Sequence, residues 1–278
     1  MSEAEGPRAG GGTPAQPAAR GFVGSQSGKR TAFEVGVVLL GIALLLLGLR
    51  GCSGCLATTI TAQLPPQADE KIGKVAAESM RAEYGVKGGE VPPEQRARCE
   101  RIFEELRSAL TPDEARVLIS PRLTVVPESQ VNAFALPGGE VFVLTGLLDR
   151  TKDDDDMLRG VLAHELGHAV HRHGVRGLVR RGVYGVGLAL LLGGTDDALT
   201  TLIAGASQLD DLGYSRSMEE EADAFGVDLL HRSKHSSEGL ARFLESLESA
   251  PVPQLLSTHP DSKERAKAIR ERERAKPP

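Results

Sequence analysis

His164-Glu165-Leu166-Gly167-His168 places two imidazoles four residues apart with a carboxylate between them. On a helix, residues four apart lie nearly above one another, so His164 and His168 present their rings to one point. Glu165 projects beside that pair, within reach of a water held there by a metal ion. Two neutral imidazoles and an adjacent carboxylate are what a catalytic zinc needs, with Glu165 as general base. The alternative for an i, i+4 His pair is a solvated helix face. Here Val161, Leu162 and Ala163 precede the motif and Ala169 and Val170 follow it, so the helix is expected to be buried. Two His and a Glu without a partner would be costly in such a place.

A catalytic zinc takes a third protein ligand and keeps a fourth position for water. A third His close behind the pair, in the spacing His-Glu-x-x-His-x-x-Gly-x-x-His, does not fit. His171 stands where that Gly should be and Gly174 where that His should be. His171 and His173 are therefore read as surface residues at the helix end. The better candidates lie in the stretch Tyr214 to Gly226. Ser217 and Glu220 read as a capping box that starts a helix, on which Glu219 and Asp223 share a face. Glu220 and Glu221 are expected to be solvated.

His-Glu-Leu-Gly-His followed by Ser215-Arg216, Glu219, Glu221-Ala222-Asp223 and Gly226 resembles the membrane-associated gluzincins typified by HtpX and BepA. These belong to peptidase family M48, with the CAAX prenyl endopeptidases as relatives. Asn132 to Leu148 and Ser257 to Arg265 also match, in the family's order, over about residues 120 to 270. The resemblance implies a Zn2+ enzyme with His164, His168 and Glu219 as ligands and Glu165 as base. It implies that Asp223 orients a ligand and that His259 approaches the zinc. There His259 would either fill the open position and silence the enzyme, or donate a hydrogen bond to the oxyanion formed during attack.

The elements that must position these groups follow from pattern. Asp153 to Asp156 favour a helix N-terminus through the helix dipole. Leu158, Val161, Leu162, Leu166 and Val170 supply its apolar stripe, with Gly174 as its stop. Leu123 to Val126 reads as a strand, and Phe134 to Leu136 and Val141 to Leu144 as strands turning at Pro137-Gly138-Gly139. Ile72, Val75, Ala76 and Met80 mark an amphipathic helix ended by Gly85. Pro92 and Pro93 open another, with Cys99, Ile102, Phe103, Leu106 and Leu110 inward. The apolar runs at 183–192 and 198–206 are too short to span a bilayer and read as two helices packed over the domain. Residues 236–249 form a further amphipathic helix, and Lys263 to Lys276 a solvated, charge-alternating one. The expected fold is α+β: a mainly helical gluzincin-type domain, with a small sheet beside the zinc helix whose edge can pair with an extended substrate.

The chain of 278 residues divides into a disordered tail at 1–32, an apolar segment at 33–50, a linker at 51–66 and the peptidase domain at 67–278. Lys29 and Arg30 precede the apolar segment, which predicts a single-pass inner-membrane anchor with a cytoplasmic tail and a periplasmic domain. The alternative is a lipoprotein acylated at Cys52, although Arg50 departs from the lipobox pattern. Three cysteines make no disulfide framework, and a net charge of −5 gives no footing for nucleic acid. The function expected is a zinc endopeptidase for misfolded or unassembled envelope proteins. The alternative is a periplasmic assembly chaperone or quality-control binding protein with little hydrolysis.

Overall fold

The structure is a computed structural model. It describes residues 53–87, 90–119, 121–182, 194–205, 213–249, 259 and 262–276. The expected tail, the apolar segment at 33–50, Cys52 and the apolar run at 183–192 lie outside the described residues. Among those described, no helix is long and apolar enough to cross a membrane. The elements are α1 Ser53–Gln63, α2 Pro66–Lys87, α3 Pro93–Ser108, α4 Pro112–Leu118, β1 Arg122–Val126, β2 Ala133–Ala135 and β3 Glu140–Leu144. After these come α5 Thr145–Arg150, α6 Asp155–Val170, α7 His173–Arg181, α8 Thr195–Ala204, α9 Arg216–Arg232, α10 Glu238–Ser249 and α11 Ser262–Arg274. The described architecture is thus mainly helical with one small sheet, as expected of an α+β domain.

The sheet has the order β1-β3-β2, with β1 parallel and β2 antiparallel to β3. β3 is buried along its whole length. Alternation sends its side chains to two layers. Val125, Ala133, Ala135, Val141 and Val143 pack with α3, α6, α9 and α10. Val126, Phe134, Leu136, Phe142 and Leu144 pack with α1, α2, α7 and α8. Gly138 and Gly139, at φ 83° and 96°, make the turn between β2 and β3 in a region that side chains with a Cβ avoid. β2 is left as a sheet edge facing α6, and that edge positions the site.

Asp154 caps α6, its carboxylate accepting from the Asp156 and Met157 amides at 3.0 Å each. From Leu158 to Ala169 the helix is buried without a break, the polar side chains of Arg159, His164, Glu165 and His168 included. It crosses α10 at Gly160, where a Cβ would stand 2.6 Å from the Leu240 amide nitrogen. Gly160→Ala should therefore destabilise by about 1–3 kcal/mol through overpacking. That exceeds the gain of about 0.5–1 kcal/mol that alanine usually brings to a helix interior. Denaturant midpoints measure it, and an unchanged or raised midpoint would refute so close a crossing.

Several expectations are corrected. The linker expected at 51–66 contains α1, in which Ala57 and Ile60 are buried, and Leu64 just beyond it is buried as well. Its threonines disguise it, since Thr58 Oγ1 turns back to the Gly54 carbonyl at 3.1 Å. α2 continues past Gly85, and Val75 faces solvent at 39% exposure. α6 does not run to Gly174. It ends at Val170, Arg172 takes a left-handed φ of 56°, and α7 starts at His173. The buried Asp69 carboxylate holds Arg172 in that conformation with two bonds, at 2.8 and 2.5 Å, and the Thr61 carbonyl takes a third at 2.9 Å. α9 is capped by Ser215, whose hydroxyl accepts from Met218 N at 3.4 Å; Ser217 already lies within the helix. The charge-alternating C-terminal segment buries Arg265, Ala266 and Ile269.

Candidate active site

Four buried side chains converge between α6, α9 and the segment before α11. One ligand atom from each of His164, His168, Glu219 and His259 lies within 4.8 Å of all the others. His164 Nε2 is 2.9 Å from His168 Nε2 and 3.5 Å from Glu219 Oε2. His168 Nε2 is 3.3 Å from Glu219 Oε1. His259 Nδ1 stands 3.2 Å from both Glu219 oxygens and 3.4 Å from His164 Nε2. The α6 spacing supplies the first two rings, and the Ser215 cap sets the rotation of α9 that aims Glu219 inward.

Asp223, one turn beyond Glu219, meets His164 Nδ1 at 2.9 Å. It therefore takes the Nδ1 hydrogen and leaves the His164 Nε2 lone pair for the centre. Glu165 does not join the donor set. Its Oε2 accepts from the Ala135 amide on β2 at 3.1 Å, and its Oε1 lies 3.8 Å from His259 Nε2.

Three groups at the site escaped the sequence reading. Arg265 is buried, and its Nε and Nη2 donate to the two Asp223 oxygens at 2.7 and 2.8 Å, while Nη1 reaches Glu219 Oε2. The tyrosine ring of Tyr214 stacks on His168, with centroids 3.9 Å apart. His173, expected at the surface, is fully buried, with Nδ1 2.9 Å from His168 Nδ1 and Nε2 3.0 Å from Glu221 Oε2. Glu221, expected to be solvated, is half-buried by that contact and by Arg176 at 2.6 Å. Glu220 is exposed as expected. Arg265 closes the stretch Ser257 to Arg265 that matches the resembled family, but nothing in that stretch assigns it a role at the site.

The charges follow from these contacts. Burial alone would lower the pKa of His164, but its bonds to Asp223 and Glu219 raise it to about 9. Burial lowers His168 to about 3. Burial works against the Glu219 carboxylate, yet His259, His168 and His164 hold it far below the usual range. Burial likewise opposes ionisation of Asp223, but Arg265 and His164 outweigh it and leave the carboxyl at about 2. Glu165 is raised above the ordinary carboxylate value by burial.

The donor set suits a metal ion. It offers three imidazole nitrogens and a carboxylate held ionised, with the outer nitrogens of His164 and His168 already committed to Asp223 and His173. Such nitrogen and oxygen donors in a dry site fit a divalent cation such as zinc.

A sequence profile described as Peptidase family M48 matches residues 93–273. The chain belongs to peptidase family M48. The metalloprotease YcaL of Escherichia coli strain K12 is 36% identical over 159 residues, which cover 52% of this chain and 59% of YcaL. The mitochondrial metalloendopeptidase OMA1 of Arabidopsis thaliana is 36% identical over 155 residues, covering 54% of this chain and 31% of OMA1. The β-barrel assembly-enhancing protease of E. coli K12 is 31% identical over 169 residues, covering 52% of this chain and 34% of that protein. The match to this M48 chain thus spans from about a third to just over half of these relatives.

Proposed function

We propose that this M48 peptidase is a zinc endopeptidase that cleaves misfolded or unassembled proteins of the cell envelope. The observation that carries the reading is the buried His164–His168–Glu219–His259 cluster with Glu165 beside it and outside the donor set. His164, His168 and Glu219 would hold the zinc. When bound, zinc supplies Lewis-acid polarisation of a carbonyl and acidifies a water molecule. Glu165 is the base: Oε2 stays on the Ala135 amide while Oε1 is free to take a proton and return it to the leaving amine. Its raised pKa suits that exchange, since a base must also release the proton it accepts. Asp223 fixes the His164 tautomer, and Arg265 fixes Asp223. The β2 edge would take the substrate as an added strand, binding its main chain with little demand on sequence.

Unfolded and misassembled chains are the partners this geometry suits, and no site for nucleic acid is proposed. A second reading is favoured by His259. A fourth donor inside the cluster suggests an assembly chaperone or quality-control binding protein that hydrolyses little until that residue withdraws. The name of the β-barrel assembly-enhancing relative is in keeping with such a role.

Purified protein should carry about one zinc per chain, and His164→Ala, His168→Ala or Glu219→Ala should each lower that content sharply. Full retention in Glu219→Ala would move the third-ligand role to another carboxylate.

We also propose that the apolar segment at 33–50 anchors the peptidase domain to the periplasmic face of the inner membrane. The expected result is that residues 56–278 are accessible to protease added outside that membrane. A C-terminal reporter active only in the cytoplasm would overturn it, and palmitate labelling abolished by Cys52→Ser would promote the lipoprotein alternative.

A further inference from the structure

We propose that His173, steered by Glu221, is a positioning residue that fixes the tautomer and ring orientation of His168. The inference rests on the reading of His168 as a zinc ligand.

The left-handed turn at Arg172 starts α7 so that the first ring of the new helix comes back against the last turn of α6. The His173 and His168 rings meet edge to face, with centroids 4.9 Å apart. Their Nδ1 atoms are 2.9 Å apart, so only one of the two can carry a hydrogen. The far side of His173 decides which one. Its Nε2 is 3.0 Å from Glu221 Oε2, and an ionised carboxylate only accepts, so the His173 hydrogen sits on Nε2. A neutral His173 then offers a lone pair at Nδ1, and His168 Nδ1 must be the donor. That leaves the lone pair of His168 on Nε2, the atom 2.9 Å from His164 Nε2 and 3.3 Å from Glu219.

Arg176 shares the same Glu221 oxygen at 2.6 Å. It keeps that carboxylate ionised and places a cation beside His173 that opposes a second positive charge there. The two ligand rings are thus oriented by different devices. Asp223 holds His164 directly, whereas Glu221 acts on His168 through an intervening imidazole. Such outer partners commonly set metal affinity within a factor of about 10–100.

Two substitutions separate this role from mere filling of space. The Oδ1 of asparagine stands near the position of a histidine Nδ1, whereas the amide of glutamine stands near Nε2. His173→Asn therefore keeps an acceptor for the His168 Nδ1 hydrogen, and His173→Gln does not. Zinc affinity of the full chain is measured at fixed pH by competition with a chromogenic chelator, with metal-free melting temperature as the control for folding. His173→Asn is expected within about threefold of wild type and His173→Gln weaker by about 10–100-fold. Equal affinities in the two variants, whether both unchanged or both lowered, would overturn the proposal. Imidazole ¹⁵N spectra of the wild type give a reading that needs no variant. They should show His173 protonated at Nε2 and His168 at Nδ1, and the reverse assignment would also overturn it. His168→Ala separates the two readings: undiminished zinc affinity there would sink the ligand assignment itself, and this inference with it.

Discussion

Glu165→Gln is expected to retain zinc at the wild-type level and to lose peptide hydrolysis by about 10²–10⁴-fold, the usual contribution of a positioned acid–base group. The separation follows from the geometry. Glu165 stands outside the four-donor cluster, with one oxygen on the Ala135 amide. Glutamine has the same shape and keeps a carbonyl oxygen to accept that hydrogen bond, so β2 and α6 stay in register. It has no lone pair able to remove a proton. A loss of that size corresponds to about 3–5 kcal/mol in the barrier. Casein cleavage, read beside zinc content, tests both halves. A variant that cleaves as fast as wild type would end the peptidase mechanism, and one that sheds its zinc would make Glu165 a ligand.

Much of the site was legible because its signals are local. The four-residue spacing of His164 and His168, the acidic run Asp153 to Asp156 and the apolar surroundings all act within a few turns of one helix. Glu219 and Asp223 share a face of α9 for the same reason, and a capping error of two residues did not disturb that face. The strands and the tight turn between them were legible from alternation and from paired glycines.

The misread parts depend on partners distant in sequence. The break between α6 and α7 needs the Asp69 carboxylate, 103 residues from Arg172. Without that contact nothing near Arg172 announces a left-handed residue, and His173 reads as a surface residue. Arg265 sits in a run of alternating charge that reads as solvated. Its burial becomes understandable only once Asp223 and Glu219, 42 and 46 residues earlier, are seen to need a counter-charge. A buried carboxylate pair is tolerated when geometry and hydrogen bonds are good, and Arg265 supplies both.

His259→Ala is expected to keep its zinc and to raise basal cleavage of unfolded protein by roughly tenfold or more. In zinc proteins a closed set of four protein ligands marks a structural site, whereas a catalytic site keeps one position open. Here His259 Nδ1 is as close to Glu219 as His168 is, so all four groups together would make a closed donor set around a zinc ion. Removing that ring would leave His164, His168 and Glu219 as donors, the usual catalytic number. A tenfold rise would mean that closure costs the working state about 1.4 kcal/mol. The opposite result has its own structural reading. His259 Nε2 faces Glu165 Oε1 at 3.8 Å, beside the proposed base. A donor there would stabilise the oxyanion, and its removal would lower cleavage by about a hundredfold. Cleavage of several unfolded substrates, compared at matched zinc content, distinguishes these roles. A fall would replace inhibition with oxyanion stabilisation, and an unchanged rate would deny His259 both.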